Sequence, residues 1–548
     1  MTATLSDLPW WKRATGYQIY PRSFMDSDGD GVGDIPGIVS RLDHLADLGV
    51  GFIWLSPVYA SPQRDNGYDI SDYRAIHSEY GTLDEFDRLV AEARDRGIGI
   101  VMDLVVNHSS SDHAWFQAAA ASRDAPEHDY YVWRQGRPGG LPPTDRQAIF
   151  GGPAWTYVGA VDAWYLHLFS PGQPDLNWDN PALRAEIWDM MRWWIDRGIA
   201  GFRMDVIDLI GKDVDAGHFD EGPHVWDRLD EMHAQVLAGR DLLTVGESWA
   251  VSRETVGNYI GKPGPLAMMF HFDHVKLGWD DTFHKFRPRE VTPLMLKREI
   301  IAWQTHLRDD GWDALFLSNH DLPRQVSRYG DDGADRVASA KALATMLHLL
   351  RGTPFIYQGE EIGMTNFHAA SLSDVADLEV HGQYDGMMAA GLDHATFMDG
   401  VNLNGRDHAR TPMQWDASAS AGFTDGVPWM TPNPNYPGLN VARDRADPDG
   451  LFAHYRALTQ LRRAHPLIVE GGFQAHLEDH PAVFAFTRGH REKRLSVLVN
   501  LTGQPQSLTV PDAMCGAGKP LVCTHDTRHG LQGDVRLAPW EAVALLRG

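Results

Sequence analysis

Along the chain one pattern recurs: an amphipathic helix, then a glycine, then an apolar run. The first copy places Ile38, Val39, Leu42, Leu45 and Leu48 at helical spacing, followed by Gly49 and the run Phe52–Leu55. The second has Phe86, Leu89, Val90 and Ala93, then Gly97 and an apolar stretch over 98–106. The third runs over 182–197, then Gly198 and 201–206. In each copy the glycine stands where a helix ends in a left-handed cap. The strands are apolar at nearly every position, as when both faces are buried. Further strands are predicted over 17–20, 242–246, 268–272, 314–317 and 353–357, which makes eight. Helix and strand alternating over this length predict an α/β fold, either a closed barrel or a large doubly wound sheet. No glycine-rich phosphate fingerprint follows the first strand, which counts against a nucleotide-binding sheet.

The pattern is interrupted twice. The third strand ends near Asn107, and the next barrel helix begins near Pro181, far beyond an ordinary βα loop. The gap holds Tyr130-Tyr-Val-Trp133 and a Gly/Pro-rich stretch over 136–143, which predicts an inserted subdomain overhanging the strand ends. After a helix over 451–463 the texture changes to short alternating runs at 482–487, 494–501, 506–510 and 541–546, a C-terminal all-β domain. The expected division is a barrel over 1–106 and 179–469, an insert over 107–178 and a β domain over 470–548.

Composition adds limits. The chain has 548 residues, 43% hydrophobic and 22% charged, ordinary for a globular enzyme and long enough for a barrel plus additions. A formal charge of −25 repels nucleic acid and anionic membranes. No apolar run is long enough to span a bilayer, and residues 1–11 lack the basic and apolar regions of a secretory leader. Two cysteines, Cys515 and Cys523, are no disulfide framework, so a cytoplasmic location is expected.

Four predicted strands end in polar clusters: Asp103-Leu-Val-Val-Asn107-His108, Arg203-Met-Asp205, Gly246-Glu247-Ser-Trp249 and Ser318-Asn-His320-Asp321. One carboxylate after a strand could equally be a helix N-cap. Four clusters after four separate strands point to one shared site at the strand C-termini. Arg203 and Asp205 are two apart, so they face the same way, and the arginine is expected to keep Asp205 ionised. An ionised carboxylate beside a second one of raised pKa is what glycoside hydrolysis needs, and Glu247 is the second.

These segments, with Gln173-Pro-Asp-Leu-Asn-Trp178, resemble the motifs of glycoside hydrolase family 13, the α-amylase family, and most closely its oligo-1,6-glucosidases and dextran glucosidases. The resemblance implies a (β/α)₈ TIM barrel with an inserted subdomain after strand 3 and a C-terminal antiparallel β domain. It implies Asp205 as nucleophile, Glu247 as acid/base and Asp321 as transition-state stabiliser. It places Asp65 and Tyr68 on the floor of the glucose subsite, with Arg410 paired to Asp65 to close the pocket and restrict attack to chain ends. His108, Arg203 and His320 would bind the same glucose, Phe150, Phe169 and Gln173 would line the entrance, and Asp103 would support His108 and Arg203. In this family Val at the position of Val206 accompanies α-1,6 preference, and Ala or Thr accompanies α-1,4. Sucrose isomerases of the family carry an arginine-rich acceptor motif after the sixth strand, where this chain has Val275-Lys-Leu-Gly-Trp279. Hydrolysis is therefore expected over isomerisation or transfer, with small oligosaccharides as substrates.

Asp26-Ser-Asp28-Gly-Asp30-Gly31 matches the first half of a calcium-binding EF-hand loop, but Gly37 stands where the closing Glu belongs. The alternative is a loop with oxygens at every second position: Asp26, Asp28, Asp30, the Val32 carbonyl and Asp34. In the resembled glucosidases this loop holds a structural Ca²⁺.

Overall fold

The computed structural model describes residues 8–261, 264–525 and 530–548; residues 1–7, part of the stretch examined for a leader, lie outside them. Eight parallel strands form one sheet: β1 (Gly16–Ile19), β2 (Phe52–Leu55), β3 (Gly99–Leu104), β4 (Gly201–Met204), β5 (Leu243–Glu247), β6 (Met268–Phe270), β7 (Ala314–Leu315) and β8 (Thr353–Tyr357). Their order is β6-β5-β4-β3-β2-β1-β8-β7, and a parallel bridge between Met269 and Asp313 joins the two ends. The closed barrel is thus the outcome. The three glycines after the barrel helices adopt φ of +89° (Gly49), +74° (Gly97) and +92° (Gly198), the left-handed caps the pattern predicts.

Strand alternation decides what lies inside. Phe52, Trp54, Val101, Leu243, Val245, Phe270 and Phe355 pack together in the barrel interior. Ile53, Leu55, Ile100, Met102, Phe202 and Met204 belong to the outer core with the barrel helices. Edge-to-face contacts join Phe52 to Phe355 at 5.4 Å and Phe270 to Phe355 at 4.8 Å, each such pair worth about 0.5–1.5 kcal/mol beyond area burial. The same alternation turns Asp103, Arg203 and Glu247 inward at the C-terminal rim, and register sets Asp103 and Val245 beside Arg203.

Between β3 and the helix Pro181–Asp196 the chain builds a three-stranded antiparallel sheet from Trp133–Arg134, Trp155–Val158 and Ala163–Leu166. The C-terminal part forms a five-stranded antiparallel sheet that begins at Gly472–His476 and has Val483–His490 and Lys493–Asn500 near its centre. Among the described residues no helix is long and apolar enough to cross a membrane.

Two elements depart from the sequence pattern. The single helix read over 38–48 is two, Ile35–Ser40 and Leu42–Leu48, broken at Arg41, whose guanidinium lies 4.4 Å over the Trp415 ring. The helices Leu378–Ala389 and His394–Asn404 after β8 left no legible pattern. The first contains Gly382 and Gly386 and fully buries only Val380, with Tyr384, Met387 and Met388 partly buried at helical spacing beside it, a thin stripe with weak helix propensity.

Candidate active site

At the C-terminal rim a cavity of about 440 Å³ opens between the barrel, the insert and the helix Leu378–Ala389; Asp205, Glu247 and Asp321 all reach it. Behind Asp205 and Glu247 stands Arg203, buried and 4.8 Å over the Trp54 ring. Arg203 Nη1 donates to Asp103 Oδ1 (2.8 Å) and to Asp205 Oδ1 (2.7 Å). Nη2 lies 2.6 Å from Glu247 Oε2. One guanidinium therefore serves three buried carboxyl groups. Burial is the largest influence on each and raises all three, and Arg203 opposes it. Arg203 bonds Asp205 as expected and pulls its pKa down, but burial and the neighbouring acids outweigh that pull and leave Asp205 well above the usual carboxylate range. Asp205 receives an aligned N–H bond from Arg203, whereas the Nη2–Glu247 contact lacks hydrogen-bond alignment. The aligned bond favours a carboxylate on Asp205, whereas burial and the neighbouring Glu247 and Asp103 push Asp205 well above the usual carboxylate range, and the Val206 amide favours a carboxylate on Glu247.

The backbone after Asp205 is unusual. Val206 has φ +35° and ψ +49°, the left-handed region that a β-branched residue enters only under strain. The turn ends β4, starts the short helix Ile207–Gly211 and aims the Val206 amide at Glu247 Oε2, 3.2 Å away. The residue beside one acid thus hydrogen-bonds the other.

Asp321 stands apart electrostatically. Arg410 Nη2 donates to its Oδ1 at 2.8 Å, Arg406 Nη1 at 3.3 Å, and His320 Nε2 lies 3.2 Å from Oδ2. These groups overcome burial, and Asp321 is held well below the usual carboxylate range. His320 stacks on Tyr68 at 5.1 Å and contacts Gln18 through Nδ1. Burial lowers its pKa to about 3, against the opposing pull of the Asp321 carboxylate.

The floor differs from expectation in its pairing. Asp65 and Arg410 both lie in the site, but no ion pair joins them. Arg410 is turned to Asp321 and to the His320 carbonyl. Asp65 instead accepts from Gln173 Nε2 at 2.9 Å, and burial raises it to about 7, with Arg406 exerting a larger opposing pull than Arg410. Asp103 supports Arg203 as expected but not His108. Its second oxygen accepts from Trp54 Nε1 and the Tyr68 hydroxyl, while His108 is set by Asn107, the Tyr68 carbonyl and Gln173. Phe150 and Phe169 meet edge to face at 5.4 Å on the cavity wall.

The sequence pattern did not single out Arg406, Lys285 or Glu379. Arg406 bonds Asp377 and Asp321 and lies 4.9 Å over Phe150. Lys285 pairs with Glu379 at 2.6 Å, and the same Glu379 oxygen lies 3.4 Å from Arg406 Nε. The only available signal for Arg406 was its place in the Gly405–Trp415 motif, from which Arg410 alone was drawn.

Far from this cavity, the carboxylates of Asp26, Asp28 and Asp34 come within 4.8 Å of one another. Asp26 accepts the amides of Asp28, Gly29 and Gly31. Asp34 also caps the helix Ile35–Ser40 through Gly37 N. Asp30 turns its carboxylate to the Val32 amide and lies outside that group.

Known proteins accord with this geometry. Residues 18–471 match the family model described as "Alpha amylase, catalytic domain". The chain is 46% identical to an oligo-1,6-glucosidase of Halalkalibacterium halodurans, over 98% of this chain and 99% of that one. It is 47% identical to a glucan 1,6-alpha-glucosidase of Streptococcus pneumoniae (98% and 99% covered) and 47% identical to a palatinase of Erwinia rhapontici (98% of each). The solved trehalulose synthase of Pseudomonas mesoacidophila superposes with a TM-score of 0.95 at 39% identity, covering 98% of this chain and all of that one. With its barrel, its carboxyl cluster and these relatives, the chain belongs to the α-amylase family, glycoside hydrolase family 13.

Proposed function

We propose that the protein is a retaining, exo-acting α-glucosidase that releases terminal non-reducing α-1,6-linked glucose from isomaltose and short isomalto-oligosaccharides. The observation that carries the chemistry is the single Arg203 guanidinium shared by Asp205 and Glu247. It holds the two acids close together, as a retaining pair needs, roughly 5–5.5 Å apart. In the first step Asp205 attacks the anomeric carbon, and Glu247 gives its proton to the departing glycosidic oxygen. In the second, Glu247 takes a proton from water, and that water releases glucose from Asp205. Asp321, ionised and held by Arg406, Arg410 and His320, accepts hydroxyls of the same glucose. Tyr68, His108, Gln173 and Asp65 form the closed end, so only a chain terminus fits.

The linkage rests on Val206, which lines the cavity next to Asp205, and on the names of the relatives. Hydrolysis of sucrose isomers is a second reading, favoured by the palatinase relative; the segment 275–279, without an arginine pair, forms part of the acceptor wall. Initial rates on isomaltose, maltose, sucrose, isomaltulose, trehalulose and panose decide between them: isomaltose should lead maltose. A lead for maltose would overturn the linkage. Glu247→Gln should lower turnover of an aryl α-glucoside by several orders of magnitude.

A structural Ca²⁺ is part of this reading. The Asp26, Asp28 and Asp34 carboxylates are hard oxygen donors on one loop, the donor set Ca²⁺ takes, and they repel one another without a cation. Asp30 and the Val32 carbonyl would complete the shell. A cytoplasmic location fits the two-cysteine composition. The partners are small neutral sugars, not nucleic acid or membrane.

A further inference from the structure

The helix Leu378–Ala389 meets the site at two points that the proposed reaction does not by itself explain. At its start stands Asp377, buried, whose Oδ1 caps the helix by accepting the Glu379 amide at 3.0 Å. Both Asp377 oxygens also accept from Arg406 Nε at 3.0 Å, and Arg406 Nη2 donates to Oδ1 as well. Asp407 closes the same turn by accepting the amides of Ala376 and Asp377. One turn further on, the helix meets the insert backbone to backbone. A methyl group on Gly382 would run into the Phe150 carbonyl oxygen, and one on Gly151 into the Gly382 carbonyl. Beside them Gln383 Nε2 donates to the Ile149 carbonyl at 2.6 Å.

The two contact points hold the two halves of one pair. Phe150 stands in a tight turn, closed by the Gly151 amide on the Ala148 carbonyl at 3.0 Å and tied to the insert by the Ile149 amide on the Leu168 carbonyl at 2.7 Å. Its buried ring meets Phe169 at 5.4 Å and the Arg406 guanidinium at 4.9 Å. A cation over a desolvated ring face is held by the ring quadrupole, and Arg406 in turn reaches Asp321 Oδ1 through Nη1 at 3.3 Å. One helix therefore carries both partners, Arg406 at Asp377 and the Phe150 backbone at Gly382. The helix is itself anchored by Val380, Tyr384 and Met387 on the cluster around Phe286 and Phe397. Alanine would strengthen a helix interior at position 382, so it is the contact with Phe150 that calls for glycine there. Fixing such groups matters because a misplacement of about 1 Å can cost a reaction about a hundredfold.

We propose that the helix Leu378–Ala389 is a beam that holds Phe150 and Arg406 together against Asp321, with Gly382 and Gln383 as positioning residues that act through Phe150. The proposal rests on the α-glucosidase activity proposed above and not on its linkage, so the substrate for the test is an aryl α-glucoside, which carries no acceptor sugar. Gly382→Ala should lower kcat/KM about tenfold, the size of one desolvated ring–cation contact, and should weaken competitive inhibition by glucose by a similar factor. Phe150→Leu, which keeps apolar bulk without a ring, should lose about as much. In the Phe150→Leu background Gly382→Ala should cost less than about twofold, because the contact it works through is already gone. A merely structural role would cost the same in both backgrounds. Gly382→Ala activity within about twofold of the wild type, or an undiminished loss in the Phe150→Leu background, overturns the beam. If Gly382→Ala fails to fold, Gln383→Leu removes only the bond to Ile149 and should cost about threefold, again only where Phe150 is present; no loss, or the same loss without the ring, overturns the beam equally. Wild-type enzyme that turns over no aryl α-glucoside would overturn the proposed activity and the beam with it, whereas an active wild type with an unaffected Gly382→Ala enzyme overturns the beam alone.

Discussion

Replacing Arg203 with glutamine removes the one positive charge shared by Asp103, Asp205 and Glu247. At 2.7 Å from Asp205 Oδ1 and an effective dielectric of 20, the lost attraction is about 6 kcal/mol. Part of that loss is recovered when the cluster binds another proton. Asp205 must be ionised to attack, and without Arg203 its pKa rises further above the value that burial already sets. The ionised fraction therefore vanishes at a higher pH than in the wild type. The acid limb of kcat/KM should move up by more than one pH unit, each unit being about 1.4 kcal/mol. Activity on an aryl α-glucoside at pH 6 should fall about 10²- to 10³-fold, since the charge-assisted bond to the nucleophile, worth about 1.5–3 kcal/mol, is lost as well. Arg203→Lys keeps a charge but not the fork, and should lie between the two enzymes. Circular dichroism establishes that each variant is folded. A folded Arg203→Gln enzyme with an unmoved acid limb and less than a tenfold loss would refute the assignment of Arg203 as the ionising partner.

Val206→Ala opens the acceptor side beside Asp205, and the isomaltose-to-maltose ratio of kcat/KM should fall severalfold; an unchanged ratio removes Val206 from the linkage account. Chelation of divalent cations should lower the melting temperature, and Ca²⁺ should restore it, whereas Asp28→Asn should melt at the chelated temperature with or without Ca²⁺. Burial raises Asp208 and Glu360 to about 8 each, above their unfolded values, so each binds its proton more tightly when folded. Their stabilising effect is complete below about pH 4 and is lost as the pH climbs towards 8. The doubly substituted Asp208→Asn, Glu360→Gln protein should therefore lose less stability than the wild type between pH 6 and pH 8 in denaturant titrations.

The eight strands were legible in the sequence because their determinants are local, whereas their closure into a barrel was implied only by the family resemblance and is seen in the bridge between Met269 and Asp313. Apolar runs, helical spacing and three glycine caps specify eight strands without reference to one another. The gathering of Asp205, Glu247 and Asp321 at one rim was legible for the same reason, because each follows a separate apolar run that ends there. Pairing was not legible, because it depends on which groups distant in sequence compete for one partner. Arg410 lies near Asp65 but is drawn to Asp321, leaving Asp65 to Gln173, and Asp103 turns to Tyr68 and Trp54, leaving His108 to Asn107. The helix Leu378–Ala389 carries two glycines and one fully buried residue, and it is held by its Asp377 cap and by Val380, Tyr384 and Met387 packing on the cluster around Phe286 and Phe397. Residue types and strand ends thus pointed to the reaction class from sequence alone, whereas the tertiary structure decided which carboxyl groups each arginine serves, because those partners come together only when distant segments pack.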